Sequence, residues 1–256
     1  MQELEGKVAF VTGGSGGLGT AVATALAGLG AAVAVADLPS RKPQASALVN
    51  QLQTNARVEA AAVELDVRDP ASIRAAVDDT VARLGGLDIA ICNAGLNVRK
   101  PSLDVTEDDW DTVLDVNLRG VFFSAQAVAA TLVRQGRGGK IVLIASIMGL
   151  VGSPFGHAAA YCASKAGVVN LARTLAVEWT GYHINVNAVA PTYAATPLTE
   201  ALFADEARVQ AVLDRTPMAR LATPESIADA VAFLASPRSD MITGVTLPVD
   251  GGWTAW

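Results

Sequence analysis

Seven short runs rich in β-branched and small apolar residues alternate with longer helix-forming segments, and this alternation restricts the fold more than any other feature of the chain. The runs are Lys7–Thr12, Ala32–Ala36, Val58–Val63, Leu87–Cys92, Lys140–Ala145, Ile184–Ala188 and Thr246–Val249. The helical candidates are Leu18–Leu29, Lys42–Gln53, Ala71–Leu84, Glu107–Arg134, Ala158–Trp179 and Pro224–Leu234. Asp69-Pro70 supplies a cap and a first-turn proline to the third of these, and Thr223-Pro224 does the same for the last. Strands that alternate with helices predict a parallel α/β sheet covered on both faces. Apolar residues make up 51% of the 256 and charged residues 17%, the balance that strands buried on both faces require. One domain over residues 1–256 accommodates this pattern.

The net charge of −6 opposes binding to nucleic acid or to an anionic membrane, both of which attract basic patches. The longest apolar stretch, Ala21–Ala36, is broken by Thr24, Gly28 and Gly30 and reads as helix, turn and strand rather than a membrane span. Cys92 and Cys162 have neither metal-ligand spacing nor a disulfide framework, and read as small core hydrophobes in a reducing compartment. The expectation is a soluble, cytoplasmic protein with a small-molecule partner and no metal.

In parallel α/β sheets ligands lie beyond the carboxyl ends of the strands, so the residues that follow each run are the candidates for a site. Thr12-Gly13-Gly14-Ser15-Gly16-Gly17-Leu18-Gly19 follows the first run and opens a helix. Glycines there let backbone amides approach a pyrophosphate at a helix N-terminus. Two registers fit: Gly14, Gly16 and Gly19 as G-x-G-x-x-G, or Gly13, Gly17 and Gly19 as T-G-x-x-x-G-x-G. Asp37, followed by Leu38, ends the second run; a carboxylate there accepts both ribose hydroxyls of NAD and repels a 2′-phosphate. Arg41 and Lys42 are close enough in sequence to help a 2′-phosphate but read more simply as a solvated helix start, so NAD is favoured. Asp66-Val67 follows the third run, where a side chain reaches an adenine edge, and Asn93-Ala94-Gly95 follows the fourth, leaving room for a ribose.

Tyr161 and Lys165 lie four residues apart in a helical segment, and so share a face. A free phenol, with a pKa of about 10, is a poor acid or base at neutral pH, and a nearby ammonium favours the phenolate.

Thr12–Gly19, Asp37, Asp66, Asn93-Ala94-Gly95, Asn117, Ser146 and Tyr161-x-x-x-Lys165 together resemble a short-chain dehydrogenase/reductase, in the right order and over nearly the whole chain. The resemblance implies a doubly wound, Rossmann-type single domain with a seven-stranded parallel sheet, usually a homotetramer. It implies Tyr161 as general acid/base, Lys165 lowering its pKa and binding the nicotinamide ribose, and Ser146 holding the substrate oxygen. It also implies Asn117 orienting a water that links Lys165 to solvent. Gly13, Ser15, Gly17, Leu18, Gly19, Asp37, Leu38, Asp66, Val67, Asn93, Ala94 and Gly95 would line the cofactor. So would Pro191, Thr192, Ala194 and Thr196, although Thr192 stands where the family usually has glycine.

The substrate should lie among Leu96–Ser102, Ile147–His157 and a Thr-Pro-rich lid with a short helix near residues 193–218. Arg99, His157 and Tyr193 are its candidate contacts. The Asn93–Arg99 loop and the tail from Val249 to Trp256 are similar to gluconate 5-dehydrogenase-like members that oxidise sugar acids and polyols. Trp253 and Trp256 are expected at a subunit interface, because exposed indoles at a terminus are an apolar liability. The leading expectation is NAD-dependent oxidation of a polar secondary alcohol. A 3-oxoacyl carrier-protein reductase and a non-catalytic NAD sensor are the alternatives.

Overall fold

Strand residues of opposite parity feed two separate cores. The computed structural model describes residues 2–256. Its strands are β1 (Val8–Thr12), β2 (Ala32–Asp37), β3 (Ala60–Glu64), β4 (Ile89–Cys92), β5 (Gly139–Ile144), β6 (Ile184–Pro191) and β7 (Thr246–Val249). Val11, Val35, Ile89, Ile91, Val142 and Ile144 point to one face. There they meet α1 (Gly17–Gly28), α2 (Lys42–Asn55) and α9 (Pro224–Ala235). Phe10, Ala34, Val63, Cys92, Ile141 and Leu143 point to the other, against α3 (Pro70–Leu84), α5 (Gly120–Gln135) and α6 (Ala159–Trp179). Two-residue strand periodicity between two helical layers produces this division.

The seven strands are parallel and ordered β3-β2-β1-β4-β5-β6-β7. The chain builds outward from β1 to β3, then returns to place β4 on the other side of β1, with Val11 opposite Ile91. Loops leaving β1 and β4 therefore diverge, which opens a crevice at the carboxyl edge.

Most elements lie where the sequence places them. Asp69 caps α3 by accepting from Ala71 N (2.8 Å), and Thr223 forms a capping box with Ser226 at α9. The candidate helix Glu107–Arg134 differs. It is α4 (Glu107–Leu114), one π turn over Asp115–Arg119, and then α5. The cause is tertiary. Asn117 turns inward to bond the backbone of Leu96, and α5 starts at Gly120, where a Cβ would lie 2.9 Å from the Val67 carbonyl oxygen. The run Glu107–Gln135 is long and apolar enough by composition to cross a bilayer, but half of its most apolar window is buried within the fold. The lid region contains a 3₁₀ turn (Pro197–Thr199), α7 (Glu200–Phe203) and α8 (Glu206–Arg215).

The C-terminal tail corrects an expectation. Trp253 does not face outward to a neighbouring subunit; it is 2% exposed within its own chain. It packs with Ile147, Met148 and Val212, edge-on to Tyr193 with 5.6 Å between centroids, under the guanidinium of Arg215. Gly251 (φ 62°) and Gly252 (φ 91°) turn the chain back, and the Asp250 carboxylate accepts from Gly252 N and Thr254 N, both at 2.9 Å. Trp256 is exposed. Trp253→Ala should lower stability by about 3–5 kcal/mol in urea unfolding. A loss below about 1 kcal/mol would mean that the indole is not part of the folded core.

Candidate active site

The loop after β1 is shaped by contacts that only glycine allows. Gly13 has φ +62°, and a Cβ there would sit 3.0 Å from Ala94 Cα. A Cβ on Gly19 would collide with the Gly13 carbonyl oxygen and come within 3.0 Å of Asn93 Nδ2. A Cβ on Gly17 would meet Pro197 Cδ at 2.9 Å. A Cβ on Gly14 would lie 2.8 Å from the Val11 carbonyl oxygen, so Gly14 is restricted too, but by β1 and β2. Gly13, Gly16, Gly17 and Gly19 line the cleft, and Gly14 does not. Gly16 begins α1 with no side-chain cap, so the first-turn amides of α1 have no side-chain acceptor. Such a cradle suits a pyrophosphate.

The cleft beyond this loop has a volume of about 630 Å³. Gly13, Gly17, Leu18, Gly19, Asp37, Leu38, Asp66, Val67, Asn93, Ala94 and Gly95 all line it, as do Pro191, Thr192, Ala194 and Thr196. Ser15, expected among the cofactor residues, does not line it: its hydroxyl donates to Asp37 Oδ2 (2.6 Å) and its amide to the same oxygen (3.0 Å). The Leu38 amide donates to Asp37 Oδ1 at 2.9 Å. Asp66 is gripped by Arg68, with Nη2 2.6 Å from Oδ2, and this ion pair and its hydrogen bonds hold its carboxyl below the usual range. Thr196 is bonded to Thr199, and Ala194 is buried beside Ala222. The Thr192 amide donates to the Val249 carbonyl (3.1 Å), while its hydroxyl is buried without a hydrogen-bond partner.

Ser146 follows β5 and starts a 3₁₀ turn, accepting from Met148 N at 3.1 Å. That turn lies directly on α6: a Cβ on Gly149 would be 2.5 Å from the Lys165 carbonyl oxygen. Tyr161 and Lys165 come from the same helix and line the same cleft as Ser146. Lys165 is 3% exposed, donates to the Ile144 carbonyl (2.7 Å), and places its Nζ 5.7 Å from the Tyr161 ring centroid. Burial depresses its pKa to about 8. Tyr161 lies above the ordinary phenol value because burial outweighs the opposing influence of the Ser146 hydroxyl and of Arg99. In this structure burial, rather than the Lys165 cation, dominates Tyr161.

Asn117 closes the group. Its Oδ1 accepts from Leu96 N (2.9 Å), and its Nδ2 donates to Leu96 O (2.8 Å) and Ser164 Oγ (3.3 Å). A Cβ on Gly95 would lie 3.4 Å from Asn117 Oδ1 and 3.6 Å from Lys165 Nζ. Gly95 and Lys165 line the cleft there, whereas Asn117 is fully buried behind them and does not line it.

On the substrate side, Arg99 and Tyr193 line the cleft. Tyr193 is pushed up to about 12 by burial, against the pull of Arg99. Lys100 is held by Asp109 at 2.6 Å and takes the solvated role. His157 is not brought to the cleft. It is exposed, and its left-handed φ of +54°, after Gly156 at +61°, carries it outward before α6 begins. Asn97 and Ser153 line the cleft without having been singled out, and Arg41 lines it as well. Asn97 and Ser153 fall inside segments that the sequence assigns to the substrate, but Arg41 reads in sequence as a solvated helix start.

A family model described as enoyl-(acyl carrier protein) reductase matches residues 13–254. The chain is 40% identical over 255 residues to 2-dehydro-3-deoxy-D-gluconate 5-dehydrogenase of Escherichia coli (strain K12), covering 98% of this chain and 97% of the relative. It is 40% identical over 251 residues to D-threitol dehydrogenase of Mycolicibacterium smegmatis (98% and 94% covered). It is 38% identical over 250 residues to a 3-oxoacyl-[acyl-carrier-protein] reductase of Thermotoga maritima (97% and 98% covered). Among solved structures, a gluconate 5-dehydrogenase from Burkholderia cenocepacia J2315 in complex with NADP and tartrate superposes with TM-score 0.93 at 37% identity, over 99% of this chain and 97% of that one. Fold, cleft and near full-length similarity agree, and the chain belongs to the short-chain dehydrogenase/reductase family.

Proposed function

We propose that this protein is an NAD-dependent oxidoreductase that interconverts a polar secondary alcohol, of the sugar, sugar-acid or polyol kind, and its ketone. The observation that carries the reading is the meeting of Ser146, Tyr161 and Lys165 in one cleft with the glycine cradle of α1. The names of the relatives support the substrate class: two are dehydrogenases of a sugar acid and a polyol. Arg99 supports it chemically, because a guanidinium close enough to influence Tyr161 and Tyr193 suits a carboxylate or hydroxyl beside the reacting carbon.

The nicotinamide of a bound dinucleotide supplies the hydride acceptor or donor. The chain's own residues handle the proton. Tyr161 Oη gives it to the substrate oxygen in reduction and takes it in oxidation, and the Ser146 hydroxyl donates to the same oxygen as charge develops. Lys165, anchored on the Ile144 carbonyl, holds a positive charge beneath the phenol and lies where a ribose hydroxyl can be bound. The Asn117 amide bonds Leu96 and Ser164, and so positions the Gly95–Leu96 backbone beside Lys165. Residues 193–218 form the lid, anchored by the packing of Tyr193 on Trp253 and of Pro197 over Gly17. Asp37 selects NAD through its carboxylate at the ribose end.

The second reading, a 3-oxoacyl carrier-protein reductase, is favoured by the Thermotoga maritima relative. Asp37 and the net charge of −6 weigh against it, since such reductases usually use NADPH and an acidic carrier docks on basic surface.

Tyr161→Phe should reduce turnover by about 10²–10⁴-fold while NAD binding persists. A variant that keeps more than about a tenth of the wild-type rate would remove Tyr161 from the proton step. A second prediction follows from the Lys165 pKa, about 8 in the folded chain against an ordinary value of 10.5. Between those values the unfolded chain keeps a proton that the folded chain has lost. Stability from this group therefore rises with pH across that window, by up to about 1.4 kcal/mol per pH unit, and is lost as pH falls through the folded value. Cys92, raised to about 12 by burial, acts in the opposite direction above its ordinary 9.0. The difference between wild type and Lys165→Met in denaturant unfolding isolates Lys165, and that difference should shift in favour of wild type as pH rises from 8. A pH-independent difference would mean that Lys165 titrates as if in water.

A further inference from the structure

The segment that carries Arg99 into the cleft is fastened at two points. At one end Asn117 holds the amide and the carbonyl of Leu96, at 2.9 and 2.8 Å. At the other, Lys100 Nζ donates to Asp109 Oδ2 at 2.6 Å and to Oδ1 at 2.8 Å. Between these points the chain has no regular structure. Among the described residues, Asn97, Val98 and Arg99 make no hydrogen bond, and Asn97 Oδ1 is buried without a partner. The shape of the segment is therefore set from its ends. Asp109 is itself fixed in the first turn of α4. Its Oδ2 accepts from Thr106 N (3.0 Å) and Thr106 Oγ1 (2.8 Å), and its amide donates to Thr106 Oγ1 (3.1 Å). The Lys100 ammonium, and then these bonds, hold its carboxyl down at about 2, so it stays charged near neutral pH. Thr112, one turn along the same face of α4, lines the cleft as Arg99 does. Lys100 reaches away to α4 while its neighbour Arg99 lines the cleft. Consecutive Cα atoms are about 3.8 Å apart, so an anchor on Lys100 restricts the point from which the Arg99 side chain departs.

We infer that Lys100 and Asp109 are a positioning pair, which holds Arg99 at the substrate side of the cleft and so raises affinity for an anionic substrate. This rests on the polar-alcohol reading above, with Arg99 facing the substrate, and deepens it. Neither Lys100 nor Asp109 touches the substrate. A guanidinium held in place before binding costs less to order on binding. The pair therefore acts on affinity and leaves the proton step at Tyr161 alone. Because Lys100 is 43% exposed, the effect is a few-fold one.

The test compares KM and kcat for D-gluconate and D-glucitol, which differ by a carboxylate in place of a terminal hydroxymethyl group. Asp109→Asn keeps an acceptor for Thr106 and frees the charge of Lys100. Simple attraction of an anion to that charge predicts a lower KM for D-gluconate. The positioning pair predicts a rise of about threefold or more, with kcat and the D-glucitol KM within about twofold of wild type. Lys100→Met, which leaves the cap of α4 whole, should give the same rise, and the double variant no more than either single one. Lys100→Arg restores the pairing and should stay within about twofold of wild type. If Arg99→Ala raises the D-gluconate KM while Asp109→Asn and Lys100→Met lower it or move it by less than about 1.5-fold, the pair is overturned and the reading of Arg99 stands. If Arg99→Ala leaves the KM ratio of the two probes unchanged, the reading of Arg99 fails and the pair's role with it. Turnover of neither probe by the wild type would overturn the sugar-acid and polyol reading on which both depend.

Discussion

Four hydrogen bonds between the ends of β1 and β4 hold the crevice that every functional group in this chain faces. Thr12 Oγ1 accepts from the amides of Asn93 (2.9 Å) and Ala94 (3.0 Å), and Asn93 Nδ2 donates to the carbonyls of Thr12 (3.0 Å) and Gly13 (3.1 Å). Thr12 is 1% exposed, and Asn93 and Ala94 are half-buried at the inner edge of the cleft. They fix the glycine loop relative to the Asn93–Gly95 turn. Gly19 then fits against Gly13 and Asn93, and Gly95 opens onto Lys165 and Asn117. The cofactor side and the proton side of the cleft are joined at this one seam.

The proton side depends on a buried cation. Lys165 is desolvated on the central side of α6, with the Ile144 carbonyl as its hydrogen-bonding partner. Holding an ammonium there opposes folding, which the depressed pKa expresses. The surrounding apolar core supplies the compensating stability. Asn117 contributes in a less direct way: its π turn gives up regular helix geometry so that its amide can hold Leu96. Function and local irregularity coincide at that turn.

The alternation of strands and helices, the glycine loop and the Tyr161–Lys165 pair are legible because each rests on local pattern: period-two burial, glycine spacing or i, i+4 geometry; Ser146 is legible only through the family resemblance. The features that were not legible rest on partners remote in sequence. Helical periodicity cannot show the single-residue insertion at Asn117, whose partner Leu96 is 21 positions away. The inward turn of Trp253 depends on Tyr193, Met148 and Arg215, although Gly251-Gly252 before it was a readable cue for a reversal. The expected nearness of its loop to Ser146 places His157 at the cleft, but a left-handed backbone takes it away. Arg41 was read as a solvated helix start because its position against Ser15 exists only once β1 and β2 are paired.

The chemistry proposed for this cleft is oxidation of a polar secondary alcohol with a nicotinamide cofactor. The most direct measurement is nicotinamide reduction by the wild-type protein across sugar acids, polyols, sugars and simple secondary alcohols, with NAD and NADP in parallel and 3-oxoacyl thioester reduction as the reverse arm. Robust turnover of one polar hydroxylated class is expected, with little from simple alcohols or the thioester. Silence toward every polar alcohol, with efficient reduction of the thioester or with dinucleotide binding but no turnover at all, would contradict it.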